Sequence, residues 1–94
     1  MDDKLARVEI VVTGLVQGVG FRYFILRNAL DKGIKGYTQN LFSGEVYTIA
    51  EGKKHLLEEF AEKIKIGSQH AHVHGFNVKW VEPKFEFSTF EIRR

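Results

Sequence analysis

The stretch VEIVVTGLVQGVGFR, residues 8–22, begins with alternating side chains and ends in a glycine-rich loop followed by an arginine. Val8, Ile10 and Val12 fall on one face of an extended chain, which is typical of a β-strand with one buried face. The glycines follow directly, and apolar residues at helical spacing begin at Phe21. The stretch therefore predicts a strand, a loop and a helix in succession.

The rest of the chain continues this alternation of strands and helices. We predict helices over residues 21–32 and 53–66, because apolar residues recur there on one face. A hairpin turn is expected at residues 42–44, and a β-bulge at Gly75, where the apolar phase changes. The later strands are predicted at residues 36–41, 45–50, 71–81 and 86–92. This order, βαββαβ with one extra terminal strand, favours an α+β, ferredoxin-like sandwich: a mostly antiparallel sheet covered on one face by two helices.

Length, composition and charge restrict the class of protein. With 44% hydrophobic and 28% charged residues, the chain has the composition of a folded globular protein, and we expect one domain over residues 1–94. Its net charge of +2 is spread along the sequence, so we expect no nucleic-acid partner. No apolar run is long enough to span a membrane and no secretory signal begins the chain, so we expect a cytoplasmic protein that binds no membrane. We also expect a monomer.

The glycine loop has the chemistry of an anion site. Backbone N–H groups at a helix start are unpaired and lie at the positive end of the helix dipole. Gly18 and Gly20 would let the backbone close around a phosphate, and Arg22 would add a planar fork of donors. Neither nucleotide motif fits, because Tyr23 replaces the third glycine of a dinucleotide loop and Phe21 the lysine of a P-loop. The residues alone leave open that the glycines only form a tight turn.

The spacing from Gln17 to Arg22 also has the form used by phosphatases whose nucleophile is a cysteine. Position 17 is a glutamine, however, and the chain contains no cysteine, which excludes a thiol nucleophile and zinc thiolate sites. If phosphate chemistry occurs here, water must be the nucleophile, and positioning and charge stabilisation must supply the catalysis.

The run VTGLVQGVGFR, residues 12–22, resembles the signature of the acylphosphatase family. The resemblance extends over most of the chain, through Ala29, Gly33, Gly36, Asn40, Gly44, Val46, Gly52 and the closing FEIRR at 90–94. It implies a ferredoxin-like enzyme that hydrolyses the carboxyl-phosphate bond of a small-molecule acyl phosphate. The products would be a carboxylate and inorganic phosphate, and the reaction would need no metal and no cofactor.

The resemblance also implies the roles of individual residues. In that family the arginine matching Arg22 binds the phosphoryl group, and the asparagine matching Asn40 orients the attacking water. The phosphate-binding loop would consist of Gln17, Gly18, Val19, Gly20 and Phe21. Without the resemblance, Asn40 would be assigned to shaping the hairpin. The chain departs from the family pattern at Tyr37 and Gln39, where tryptophan and arginine are usual, and the loss of that arginine lowers the positive potential near the loop.

Two other classes of function are weaker alternatives. A binding module would keep the anion site for regulation, or for docking carbamoyl phosphate within a larger protein, but we expect no fused domain here. An RNA-binding domain of this fold would expose aromatic residues on its open sheet face, whereas we expect Phe76, Trp80 and Phe90 in the core. His70, His72 and His74 alternate at intervals too wide for a tetrahedral zinc, so we expect no metal site.

Overall fold

The alternation of residues 8–12 belongs to a longer strand that runs the length of the sheet. The computed structural model describes residues 4–94. In chain order its elements are β1 (Leu5–Leu15), α1 (Phe21–Asp31), β2 (Lys35–Asn40), β3 (Val46–Lys53), α2 (Lys54–Ile66), β4 (His72–Val81) and β5 (Phe90–Arg93). The two helices therefore lie within one residue of their predicted bounds.

The five strands form one sheet in the order β4-β1-β3-β2-β5. Strand β1 pairs antiparallel with β3 and with β4, and β2 pairs antiparallel with β3. Only the pairing of β2 with β5 is parallel. Both helices pack on one face of this sheet, so the predicted ferredoxin-like α+β sandwich is confirmed.

The core lies between that face and the helices. Val8, Ile10 and Val12 are fully buried, as their alternation predicts. Phe60 of α2 meets the ring of Phe90 on β5 edge-on, with the ring centroids 6.0 Å apart. The other buried residues of the helices are Phe21, Ile25, Ala29, Leu57, Ala61 and Ile64. Burial of a large apolar side chain contributes about 1.5–3 kcal/mol, so this contact surface is the main source of the fold's stability.

Strand β4 corrects two expectations. The β-bulge is present, but the extra residue is His74, because Thr13 pairs with Gly75 and Gly14 with Val73. Trp80 is not a core residue, since it is 42% exposed and lies beneath the ammonium group of Lys54, 5.9 Å from the ring centroid. It points to the helix side of the sheet, but β4 is an edge strand that the helices only partly cover.

The last strand is shorter than predicted. Residues 86–89 lie outside β5, because the chain must first cross from β4 at one edge of the sheet to β5 at the other. That crossing covers four strand spacings, or about 19 Å. Residues 82–89 reach at most about 27 Å when extended, so they are used as a connection and are not available for pairing.

A buried ion pair fastens this connection to the end of the sheet. The guanidinium of Arg7 lies 3.0 Å from Glu51 and 2.7 Å from Glu86. The amides of Lys84 and Phe85 donate to the same oxygen of Glu51, at 2.6 and 3.2 Å. Burial alone would raise the pKa of Glu51, but these amides and the guanidinium outweigh it, so the pKa lies below its ordinary value of 4.5.

We expect Glu51→Gln to lower the free energy of unfolding at pH 7 by about 3 kcal/mol, because Arg7 loses its buried anionic partner and keeps only Glu86, which is half exposed. A lowered folded-state pKa stabilises the fold above pH 4.5, and this contribution is lost as the pH falls through the folded-state value. Denaturant unfolding measured from pH 7 down to below pH 4.5 should show the free energy of unfolding of the variant approaching that of the wild type at low pH. Glu86→Gln is the control: Glu86 is half exposed, and its loss should cost less than about 1 kcal/mol. Equal costs for both variants would contradict this assignment.

Among the glycines of the strands, Gly36 on β2 should be the one that tolerates substitution least. Its φ is +146°, and a Cβ there would overlap the backbone carbonyl oxygen of Ile49. We expect Gly36→Ala to lower the free energy of unfolding by about 3 kcal/mol or more. Gly33→Ala is matched to it, because Gly33 also has a positive φ but has open space around it, and should cost about 1 kcal/mol. Chemical denaturation of the two variants would show whether backbone overlap or φ alone sets the cost.

Candidate active site

The glycine loop connects the end of β1 to the start of α1, and both of its ends are anchored in the core. Val16 and Phe21 are each 1% exposed. Between them, Gly18 and Gly20 have φ values of +76° and +74°, a left-handed conformation that side chains disfavour. Gly20 is the N-cap of α1, and no side chain caps the helix there. The N–H groups of the first turn are therefore available to a ligand.

Arg22 is the second residue of α1 and projects toward the end of β5. Its Nη1 donates to the carbonyl oxygen of Arg93 over 3.4 Å, a long hydrogen bond at the limit of what such bonds allow. A guanidinium has five N–H donors, so this contact orients the group and uses only one of them. The remaining donors can bind an anion held by the loop.

Asn40 is the last residue of β2, which places it where the strand ends and the β2–β3 hairpin begins. Its side chain is half-buried, and within residues 4–94 the buried Oδ1 has no hydrogen-bond partner. Leaving a buried acceptor unpaired costs about 1–3 kcal/mol, so this atom calls for a functional explanation.

Gln17 connects the loop to that hairpin, a role that the sequence did not reveal. Its Nε2 donates to the carbonyl oxygens of Leu41 and Glu45, each at 2.9 Å. These acceptors lie 24 and 28 residues away along the chain. Only the pattern of a polar residue inside an otherwise apolar and glycine-rich loop hinted at a specific contact.

These contacts bring the predicted site residues to one end of the sheet. Gln17 is bonded to Leu41, the residue that follows Asn40. On the other side, Arg22 is bonded to Arg93, which pairs in register with Gln39, the residue that precedes Asn40. Gln17 thus contacts the residue after Asn40, and Arg22 contacts the strand that pairs with β2 up to the residue before Asn40.

The positions that depart from the family pattern take part in the β2–β5 edge. The Arg93 guanidinium carbon lies 3.9 Å from the centroid of the Tyr37 ring, a close cation–π contact. Gln39 donates through Nε2 to the carbonyl oxygen of Arg94 over 2.8 Å. In this chain Gln39 therefore orders the end of β5, against which Arg22 is oriented.

Residues 4–94 contain neither a metal-binding cluster of side chains nor a membrane-spanning helix. No three His, Cys, Asp or Glu side chains in that range are arranged to hold a metal ion. His72 and His74 are exposed at the start of β4. Neither of the two helices is long and apolar enough to cross a bilayer.

Comparison with known proteins supports the same reading. The acylphosphatase family model matches residues 8–92. An acylphosphatase from Archaeoglobus fulgidus is 46% identical over 85 residues, which cover 90% of this chain and 94% of that protein. The crystal structure of an acylphosphatase from Bacillus subtilis aligns with a TM-score of 0.90 at 34% identity, covering 97% of this chain and 100% of the other.

A larger protein also contains a similar unit. The crystal structure of full-length HypF in a phosphate- and nucleotide-bound form aligns with a TM-score of 0.88 at 33% identity, over 97% of this chain but only 12% of that one. The family match and the relatives of similar length decide the assignment. The chain belongs to the acylphosphatase family, which confirms the predicted fold and the predicted hydrolysis of acyl phosphates.

Proposed function

We propose that Arg22 and the backbone amides of residues 17–21 bind the phosphoryl group of an acyl phosphate, and that Asn40 orients the attacking water. The observation that carries this proposal is the convergence on Asn40: Gln17 is bonded to the residue after it, and Arg22 to the strand paired beside it. The uncapped start of α1 supports it further, because the unpaired N–H groups there suit an anion.

The hydrolysis of an acyl phosphate does not need a strong general base, because the carboxylate is a good leaving group. Water attacks phosphorus, a new P–O bond forms as the bond to the acyl oxygen breaks, and the carboxylate leaves without needing a proton. For a dianionic acyl phosphate, both protons of the water end on the phosphate, which is released as dihydrogen phosphate. Catalysis then depends on positioning and on neutralising the charge of the equatorial oxygens, which the Arg22 guanidinium and the loop amides supply. Asn40 can accept a hydrogen bond from the water and donate one to a phosphate oxygen, although it cannot take up a proton at neutral pH.

The whole set of proposed groups comes from one chain, since the loop, α1, β2 and β5 supply all of them. We therefore propose that the protein acts as a monomer. Its cytoplasmic location stays a prediction from the sequence.

Arg22→Ala should abolish most of the turnover while the protein stays folded. By analogy with other phosphate-binding arginines, kcat/KM for benzoyl phosphate should fall about 10³-fold or more. Arg27→Ala is the matched control, because Arg27 is exposed on the same helix and no part of the proposed site. Hydrolysis should be followed with and without a chelator, with circular dichroism as the check on folding. Undiminished activity in Arg22→Ala, or dependence on added metal, would refute the mechanism.

Asn40→Ala should lower kcat more than it raises KM, because the proposed role of Asn40 is to orient water and it contributes less to substrate binding. We expect kcat to fall about 10²-fold, the size of loss that a misplaced reactant produces, with KM within a few fold of the wild type. Asn28→Ala provides the control, since the Asn28 side chain donates to its own helix, at the carbonyl of Phe24, and is no part of the proposed site. A rise in KM with kcat unchanged would assign Asn40 to substrate binding instead.

The similarity to part of HypF suggests one alternative function, a domain that binds phosphate without hydrolysing acyl phosphates. The benzoyl phosphate assay, together with a measurement of phosphate binding, distinguishes this domain from the enzyme. Micromolar binding of inorganic phosphate with no hydrolysis of benzoyl phosphate would favour the module, whereas turnover that depends on Arg22 and Asn40 favours the enzyme.

A further inference from the structure

We propose that the side chain of Gln17 is a positioning residue: it holds the β2–β3 hairpin, and with it Asn40, at a fixed place relative to the phosphate-binding loop. This inference rests on the proposed function of Asn40. It assigns Gln17 a task distinct from that of its backbone amide, which belongs to the loop.

The direction of the contact follows from hydrogen-bond chemistry. Both groups facing the Gln17 side chain are backbone carbonyl oxygens, of Leu41 and Glu45, and a carbonyl can only accept. The amide nitrogen must therefore face them, and its two N–H groups match the two acceptors, each at 2.9 Å. A primary amide supplies this pair of donors without adding a charge.

The hairpin turn is already closed by its own backbone. The amide of Leu41 donates to the carbonyl of Glu45 over 2.8 Å, and the amide of Gly44 donates to the carbonyl of Leu41 over 3.0 Å. Gln17 therefore adds nothing to the closure of the turn. Its two hydrogen bonds join the closed turn to the loop that follows β1, although the turn lies 24 to 28 residues further along the chain.

Phosphate binding does not explain why this side chain is a glutamine. The loop needs only an N–H group at position 17, which every residue except proline provides. The side-chain donors are used on the hairpin, so they are not free for the phosphate. A role in positioning Asn40 accounts for the amide, its length and the identity of its two partners.

The first test separates binding from catalysis. Gln17→Leu removes both hydrogen bonds and leaves the loop amides and Arg22 in place. For benzoyl phosphate we expect kcat to fall about 10-fold or more, as small misplacements do, while the inhibition constant of inorganic phosphate changes less than about threefold. A parallel loss of phosphate binding and kcat would place the side chain at the phosphate and overturn the proposal. Unchanged kcat would overturn it as well.

The second test uses protonation, and it also covers the case in which Gln17→Leu does not fold. The carboxyl introduced by Gln17→Glu can donate to a carbonyl when protonated, but it repels both carbonyls when ionised. The ratio of variant to wild-type kcat should therefore rise as the pH falls through the pKa of that carboxyl. The ratio for Gln17→Leu should stay flat. A flat ratio for Gln17→Glu would contradict a donor role.

The third measurement links Gln17 to Asn40 and distinguishes the two proposals. If Gln17 acts through Asn40, adding Gln17→Leu to Asn40→Ala should lower kcat less than about threefold further, because groups that act as a unit are not additive. Full additivity would overturn the positioning role and leave the function of Asn40 intact. Wild-type activity in Asn40→Ala alone would instead refute the proposed function.

Discussion

Strand β1 is hydrogen-bonded along both edges, to β3 and β4, and its residues Val8, Ile10 and Val12 are fully buried beneath the helices. A slip of one residue would turn this whole apolar face toward the open side of the sheet, so the register is firmly set. Because Val12 pairs with Val46 at the start of β3, the chain leaves β1 beside the β2–β3 hairpin. The glycine loop therefore lies next to this hairpin and bonds to it through Gln17, a proximity that follows from the pairing of one strand.

The two ends of the sheet carry opposite kinds of electrostatics. At one end Arg7 and Glu51 are buried and paired with each other, and two amides of the β4–β5 connection also donate to Glu51. At the other end the start of α1 has no capping side chain, and the Arg22 guanidinium keeps most of its donors uncommitted. Paired charges stabilise the first end, whereas unpaired donors suit the second end to an incoming anion.

Local sequence patterns predicted the elements whose formation depends on neighbouring residues. They failed for features that depend on the order of the strands in the sheet. The loop and both helices follow from spacing alone, as does the strand that carries Val8. Trp80 was misplaced because only the sheet order shows that β4 is an edge strand. Residues 86–89 were assigned to a strand because nothing local reveals that they must cross the sheet. The bonds of Gln17 span 24 to 28 residues, which is farther than the local patterns of strands, turns and helices reach.

The neutral amide at position 40 fits the rest of the site better than a carboxylate would. A carboxylate there would be a stronger base, but it would repel the phosphate that we propose is bound by Arg22 and the loop. An amide avoids that repulsion and can still contact water and phosphate through opposite ends. Its buried Oδ1 has no partner within residues 4–94, so it can accept a hydrogen bond from a water molecule. The backbone that carries Asn40 is held on both sides, since β2 is paired on both edges up to Gln39. The sheet thus fixes the position of the group that the proposed reaction requires.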